Sequence, residues 1–282
     1  MKKRNRSILF LGRAHQGVKV CLLLACLGLT SLPTKATSIF TETFNYAVGA
    51  NLDGQNGGSG FSGAWTGGNS TIVGGIGGAG TSALQVGTES KRTLLSTFNT
   101  AGNSFYLSYV MNSSDFFGGN YTGISLWQGN TENMFLGIPW NARKFGFDPH
   151  KGLPIQSIDF NPLTNTSYLV TFALLPSATS GKVDIKLWAT SNLNIDATTL
   201  LSAAPNASLI GTRDNFTFDN LRVNGNYAGA LKLSGLSSAT TGAEAMSVSV
   251  ASVPEPSALS LLVVGLGGLI ALRRVRRKAD QV

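Results

Sequence analysis

The sequence predicts an all-β domain, an antiparallel sandwich of two sheets. Short apolar or alternating runs recur between clusters of Gly, Asn, Ser and Pro, and no long helical pattern separates them. Runs of this length and spacing are typical of antiparallel sandwiches and barrels. The runs predicted to form strands are residues 39–46, 82–87, 92–98, 104–112, 121–129, 133–140, 167–175, 182–190 and 216–223.

Two stretches between these runs predict other local structure. Residues 196–204, "DATTLLSAA", predict one short helix with Asp196 as its N-cap. Residues 51–65, "NLDGQNGGSGFSGAW", are too rich in glycine to pack a core and predict an ordered loop held by Phe61 and Trp65.

The last predicted strand, "FTFDNLRV" (216–223), changes phase along its length. Phe216 and Phe218 share one face of an ideal strand, whereas Leu221 and Val223 fall on the other. Either a bulge near residues 219–220 restores the register or both faces of the strand are covered, and we expect cover on both faces.

The N-terminus carries the pattern of an export signal. Residues 1–36 combine a basic start, an apolar run and the small-residue site "TKA", which predicts a secretory signal peptide. A lipoprotein signal acylated at Cys26 is the alternative. Because Cys21 and Cys26 both lie in this segment, the predicted mature chain has no disulfide, thiolate metal site or cysteine nucleophile.

The C-terminal segment, residues 253–282, has three parts: a Pro-Glu-Pro triplet, an uncharged apolar run and a basic cluster. The run predicts a single short transmembrane helix over 257–272, since the 15 residues from Ala258 to Leu272 reach roughly 22 Å against a hydrocarbon core of about 30 Å. Basic residues stay in the cytoplasm, so the C-terminus is expected there and the domain outside. The basic residues are Arg273, Arg274, Arg276, Arg277 and Lys278. A plain tail anchor is the alternative.

This tail resembles the PEP-CTERM sorting signal of Gram-negative bacteria, which has the same three parts in this order. The resemblance implies that an exosortase-type membrane protease recognises Pro254, Glu255 and Pro256 and removes the tail. It also implies passage through the secretion machinery and the inner membrane to the cell surface or extracellular matrix. Residues 234–252, rich in Ser and Ala, are predicted to be the linker between the domain and this signal.

The domain, predicted over residues 37–233, has a resemblance of its own. Its opening "FTETFNYAVGANLDGQNGGSGFSGAW" (40–65) and its closing "FTFDNLRV" (216–223) resemble the end segments of LamG-like, concanavalin A-type jelly-roll domains. The resemblance implies a jelly roll whose first and last strands lie near each other.

The charge balance excludes nucleic acid as a favoured partner. Of 22 Lys and Arg, seven lie in residues 1–36 and five in 273–278, which leaves ten for residues 37–252 against 12 Asp and Glu. The domain is therefore slightly acidic although the whole chain is basic, and it lacks the positive surface that phosphate backbones require.

No catalytic motif is evident. Glucanases of the concanavalin A-like fold place Glu and Asp at alternate positions of one strand, but Glu42, Glu89, Glu132 and Glu244 have no other carboxylate within four residues. A serine elbow is also absent from the sequence, and His150 is predicted to be an exposed loop residue. We expect no enzyme; a glycan hydrolase is the alternative, because carboxylates distant in sequence can meet in space.

Binding is the better-supported activity. Sugar sites combine aromatic platforms with Asn or Asp side chains that fix hydroxyl groups. The candidate residues of this kind are Tyr121, Trp127, Trp140, Asn141 and Asp148.

Three alternatives accompany these candidates. Trp127 lies in a strand pattern and can equally be a core residue. No cofactor and no metal ligand is predicted, the alternative being an oxygen-rich calcium site with Asn141, Asp148 and Asp159. Ice or mineral binding would need a regular Thr-x-Thr array, which the sequence lacks. The sequence therefore predicts an exported, non-catalytic surface or matrix protein that binds polysaccharide.

Overall fold

The prediction of two antiparallel sheets is confirmed. A computed structural model describes residues 37–77, 82–115, 121–225 and 231–249, and within these ranges the chain forms 14 strands and two short helices. The predicted signal peptide (1–36), transmembrane helix (257–272) and sorting signal (253–282) lie outside the described residues. None of the described helices is long and apolar enough to cross a membrane.

The 14 described strands are divided between the two sheets. In chain order they are β1 (Ser38–Glu42), β2 (Thr71–Gly74), β3 (Ser82–Gln85), β4 (Ser90–Asn99), β5 (Phe105–Ser113), β6 (Thr122–Gln128), β7 (Thr131–Ile138), β8 (Gly146–Asp148), β9 (Gln156–Ser157), β10 (Ser167–Pro176), β11 (Lys182–Thr190), β12 (Ala207–Asp214), β13 (Thr217–Gly225) and β14 (Leu231–Ala239). The helices are α1 (Ala197–Ser202) and α2 (Gly242–Ser249). All nine predicted runs contain a strand.

One sheet has eight strands and the other has six. The larger follows the order β12-β11-β10-β5-β14-β3-β2, with β1 also paired to β14, and the smaller follows β4-β13-β6-β7-β8-β9. Apolar side chains from both sheets meet in one core; Phe172 of the large sheet, for example, lies 6.5 Å from Phe147 of the small one between ring centroids. This arrangement leaves one outer face on each sheet.

The prediction of a linker over residues 234–252 is wrong for the part that the structure describes. Residues 234–239 belong to β14, which pairs with β5 along one edge and with β1 and β3 along the other, and residues 242–249 form α2. The buried serines of β14 make hydrogen bonds to neighbouring strands: the Ser238 hydroxyl accepts from the Phe40 amide at 3.2 Å. The first and last strands lie together as expected, since β1 pairs with β14, but the last strand is not "FTFDNLRV", which forms β13 in the other sheet.

The phase change in β13 is explained by a bulge, and the expected cover on both faces of the strand is present as well. The register between β13 and β4 shifts between Phe218 and Asn220. Phe218, Leu221 and Val223 consequently all reach the core between the sheets. The opposite face of β13 is also buried, but by polar side chains that belong to the site described below.

The predicted glycine-rich loop is ordered around a buried ion pair. Glu42, 1% exposed, lies 2.7 Å from Arg92 and also accepts a hydrogen bond from the Trp65 indole at 3.0 Å. Arg92 stacks over Phe61 at 4.1 Å and donates to the Gly63 carbonyl at 2.7 Å. Phe61 and Trp65 hold the loop as predicted, and Glu42 has a structural role.

The two helices cover the outer face of the eight-stranded sheet. Asp196 caps α1 as predicted by accepting from the Thr199 amide at 2.8 Å. Leu200 of α1 and Met246 of α2 pack with Trp188 of β11 in a second apolar cluster. The outer face of the six-stranded sheet carries no described helix, and the candidate site lies there.

Candidate functional site

The candidate site is a pocket of about 380 Å³ on the outer face of the six-stranded sheet. Strands β13, β6, β7 and β8 are neighbours, so their outward-facing residues fall into cross-strand rows. The rows are Asn224, Gly123, Gly137 and Gly146; Arg222, Ser125, Phe135 and Asp148; and Asn220, Trp127 and Glu132. The pocket is lined by Glu89, Tyr121, Trp127, Glu132, Phe135, Trp140, Asp148, His150 and Asn224.

Three of the four residues in the first row are glycines, so Asn224 supplies its only side chain. Gly137 has a φ of 148°, and a Cβ atom there would lie 2.6 Å from the Thr122 carbonyl oxygen. Glycine is therefore required at this position by both the backbone conformation and the close approach of β6.

One wall of the pocket is aromatic. A turn after β7, closed by the Ala142 amide donating to the Pro139 carbonyl at 3.1 Å, presents Trp140 at its tip with 49% of the side chain exposed. The Tyr121 ring lies 5.9 Å from that of Trp140 and 5.8 Å from that of Phe135. An exposed indole backed by other rings is the type of platform on which a sugar ring can stack.

A second aromatic group is fixed by a cation. The Arg222 guanidinium lies 3.5 Å from the centre of the Trp127 ring and forms an ion pair with Glu89 at 2.6 Å. The alternative that Trp127 is a core residue is wrong, because the ring lines the pocket on the face away from the core. One face of Trp127 is occupied by Arg222, so Trp140 is the more open ring.

The polar wall is built around His150. Nε2 of His150 lies 3.4 Å from Glu132 Oε2, and Nδ1 lies 3.6 Å from Asp148 Oδ1. The alignment at Nε2 does not meet hydrogen-bond geometry, so the contact with Glu132 is electrostatic and becomes an ion pair when the imidazole is protonated. The interaction with Glu132 raises the pKa of His150 above its ordinary value, Asp148 adds to this effect, and burial opposes it. The prediction of a plain exposed loop histidine is therefore wrong.

The backbone holds His150 in this position. It has a φ of 54°, a left-handed conformation that costs energy in a residue other than glycine. Its amide donates to Asp148 Oδ1 at 2.8 Å, which stabilises the turn after β8. One carboxylate thus positions the imidazole through both the backbone and the ring.

Asn224 supplies a buried polar group beside the rings. The residue is 8% exposed, and its amide nitrogen donates to the Ser125 hydroxyl at 3.1 Å. Its amide oxygen has no hydrogen-bond partner among the described residues. If the amide is turned round, the nitrogen is the atom left over. In either orientation one polar atom remains for a ligand.

Four of the five predicted site residues line this pocket: Tyr121, Trp127, Trp140 and Asp148. Asn141 does not; it occupies the turn beside Trp140 with a φ of 59°, a conformation that Asn tolerates better than most residues. The pocket also contains residues whose place in it the sequence did not predict: Glu89, Glu132, Phe135, His150 and Asn224. Of these five residues, only Phe135 and Asn224 could have been found from sequence, because the alternation of residues along their strands places both on the outer face of the sheet.

A metal site has no support among the described residues. No group of three or more Asp, Glu or His side chains there is placed to hold an ion. Glu132 and Asp148 contact opposite nitrogens of the His150 ring, so the three groups do not converge on one point. The described residues therefore give no support to the alternative of a calcium site with Asn141, Asp148 and Asp159.

Comparison with known proteins gives no family. No protein-family model and no curated protein matches this chain. Domain 4 of AbnA, an extracellular arabinanase of Geobacillus stearothermophilus solved with arabinotriose, is 13% identical with a TM-score of 0.46, over 76% of this chain and 98% of that one. The globular domain of T. cruzi calreticulin is 9% identical with a TM-score of 0.44, over 73% of this chain and 88% of that one. At these values neither likeness assigns a family, a site or a ligand to this chain.

Proposed function

We propose that this protein binds a glycan, without chemical change, in the pocket on its six-stranded sheet. The proposal depends on one observation. An exposed indole, further aromatic rings and three carboxylates lie around one open pocket, although they come from segments far apart in the chain. Aromatic faces suit the apolar faces of sugar rings, and carboxylate and amide groups accept from hydroxyls.

We further propose that the domain is a LamG-like jelly roll of an exported cell-surface or matrix protein. The support is the pair of sequence resemblances: the end segments of the domain and the PEP-CTERM-like tail. The proposed signal peptide (1–36), transmembrane helix (257–272) and exosortase-type partner all follow from these patterns. The slight excess of acidic residues over 37–252 agrees with a ligand other than nucleic acid.

Trp140 provides the test of binding. Full-length protein in mild detergent is screened on an array of neutral, amino and acidic oligosaccharides, and the tightest binder is titrated against Trp140→Ala. We expect roughly 10- to 30-fold weaker binding, the loss typical of a central aromatic contact. The matched control is Leu95→Ala, an exposed apolar residue of β4 that does not line the pocket. Absence of any glycan bound, or equal affinity in both variants, would overturn the proposal.

The sorting proposal is tested at the triplet. Replacing Pro254, Glu255 and Pro256 with alanines should leave export intact but trap an uncut, cell-associated form in a host that carries exosortase. The measurement is the mass of the mature surface protein. A wild-type protein that still ends at Val282 would contradict cleavage and favour a plain tail anchor.

A second candidate function, glycan hydrolysis, is favoured only by the meeting of Glu132 and Asp148 in one pocket. A glycosidase needs one carboxyl protonated as the acid and the other ionised. Here both carboxylates contact the same His150 ring and are each 26% exposed, so their surroundings do not set one apart as the acid. We therefore expect no turnover of the array glycans; turnover abolished by Glu132→Gln would establish an enzyme instead.

A further inference from the structure

Building on the glycan-binding function proposed above, we propose that the pocket selects sugars that carry a protonated amine, such as glucosamine units, and rejects sugars that carry carboxylates. The observations behind this selection are the charges that line the pocket, their partners and the groups beside them.

The charges of the pocket do not cancel. Arg222 neutralises Glu89 through their 2.6 Å ion pair, and its second terminal nitrogen donates to the Gly129 carbonyl at 3.4 Å. Glu132 and Asp148 face only His150 among the cationic groups that the structure describes within ion-pair distance. Two carboxylates against one imidazole leave an excess of negative charge among these groups whether or not His150 carries a proton. Arg213 also acts on His150, but it is 3% exposed and does not line the pocket.

The two excess carboxylates can be reached by a ligand. The side chains of Glu132 and Asp148 are each 26% exposed, and that of His150 is 30% exposed. Charges in this position are partly desolvated, so they attract an ammonium group more strongly than fully exposed carboxylates would. Neither a Lys nor an Arg side chain is among the residues that line the pocket, so a uronic acid would find no free cation to pair with.

Two neighbouring groups agree with a cationic ligand. The face of an indole attracts cations as well as sugar rings, and Trp140 has 49% of its side chain exposed beside the pocket. Asn224 keeps one polar amide atom without a partner in the described structure, and with the oxygen in that position it accepts from an ammonium or a hydroxyl. The pocket therefore offers acceptors and ring faces rather than positive charge.

The experiment compares three tetrasaccharides on full-length protein in mild detergent near neutral pH. They are β-1,4-linked glucosamine, its N-acetylated counterpart and galacturonate, with affinities measured by calorimetry. We expect glucosamine to bind roughly tenfold tighter than its N-acetylated counterpart, the factor that two partly exposed charge pairs supply. Galacturonate should bind weakest.

Variants separate charge from shape. Glu132→Gln and Asp148→Asn should each weaken the binding of glucosamine more than that of its N-acetylated counterpart, so that the ratio of the two affinities falls toward one. Asn at position 148 can still accept from the His150 amide, so the turn is preserved. Asp159→Asn, an exposed carboxylate outside the pocket, is the matched control and should change nothing.

His150 supplies an independent readout. The groups that act on it are Glu132, Asp148 and, opposing protonation, Arg213. Because a protonated imidazole competes with the ligand ammonium for both carboxylates, His150→Asn should strengthen glucosamine binding; Asn tolerates the left-handed backbone there. Weaker glucosamine binding in this variant would contradict the selection.

The possible failures are distinguishable. Equal affinities for the amino and N-acetyl tetramers, or tighter binding of galacturonate, would overturn the amine selection and leave glycan binding standing. No binding of any of the three, together with an empty array, would overturn the proposed function itself.

Discussion

Glu42 has a structural role that its sequence context does not reveal, and this role bears on the stability of the fold. It is one of four glutamates of the domain that a search for catalytic acids must consider, yet it is buried with Arg92, Trp65 and Tyr46. Burial raises the pKa of the Tyr46 hydroxyl to about 12, and the neighbouring Glu42 carboxylate contributes to this rise. These contacts fasten the glycine-rich loop to β1 and β4, and nothing in them faces the pocket.

At the residue scale, we predict that Glu42→Gln destabilises the fold. The substitution keeps the shape of the side chain but leaves the Arg92 guanidinium buried without its counter-charge, which costs about 3 kcal/mol or more. The measurement is the free energy of unfolding from urea titration, with Asp159→Asn as an exposed control that should behave like wild type. An unchanged free energy in Glu42→Gln would show that the loop is held by its aromatic contacts alone.

At the element scale, strands with a clear apolar pattern were predictable and strands with a polar or short pattern were not. β2, β8, β9, β12 and β14 escaped prediction. β14, "LKLSGLSSA", resembles a linker in composition, but its serine hydroxyls make hydrogen bonds across strands, which allows them to be buried in the centre of a sheet.

Part of the site was predictable from the sequence and part was not, for a similar reason. Aromatic residues stand out in a sequence, whereas the meeting of Glu132 with His150 depends on the pairing of β7 with β8.

We predict that Leu236→Ala destabilises the protein by about 2–4 kcal/mol, the usual cost of truncating a buried leucine. Leu236 is fully buried in the core between the sheets, at the point where β14 pairs with β1. Thermal and urea unfolding of the full-length protein give the measurement. Ser247→Ala, at an exposed position of α2, is the control. A harmless Leu236→Ala would restore the linker interpretation of this segment.

At the scale of the whole molecule, the two outer faces of the sandwich differ. The helices α1 and α2 cover the eight-stranded sheet, whereas the six-stranded sheet presents rings and carboxylates around an open pocket. This asymmetry leaves the six-stranded sheet as the face on which we propose that the glycan binds. It also predicts where a bound glycan must protect the chain from solvent.

Hydrogen–deuterium exchange tests this claim most directly. Full-length protein is labelled with and without a saturating amount of the tightest-binding array oligosaccharide, and exchange is compared peptide by peptide. The pocket site predicts slower exchange in β6, in β7 and in residues 139–152, where the turns of Trp140 and His150 lie, with no change in α1 or β12. Protection confined to α1, β12 or the glycine-rich loop, with β6 and β7 unchanged, would contradict it.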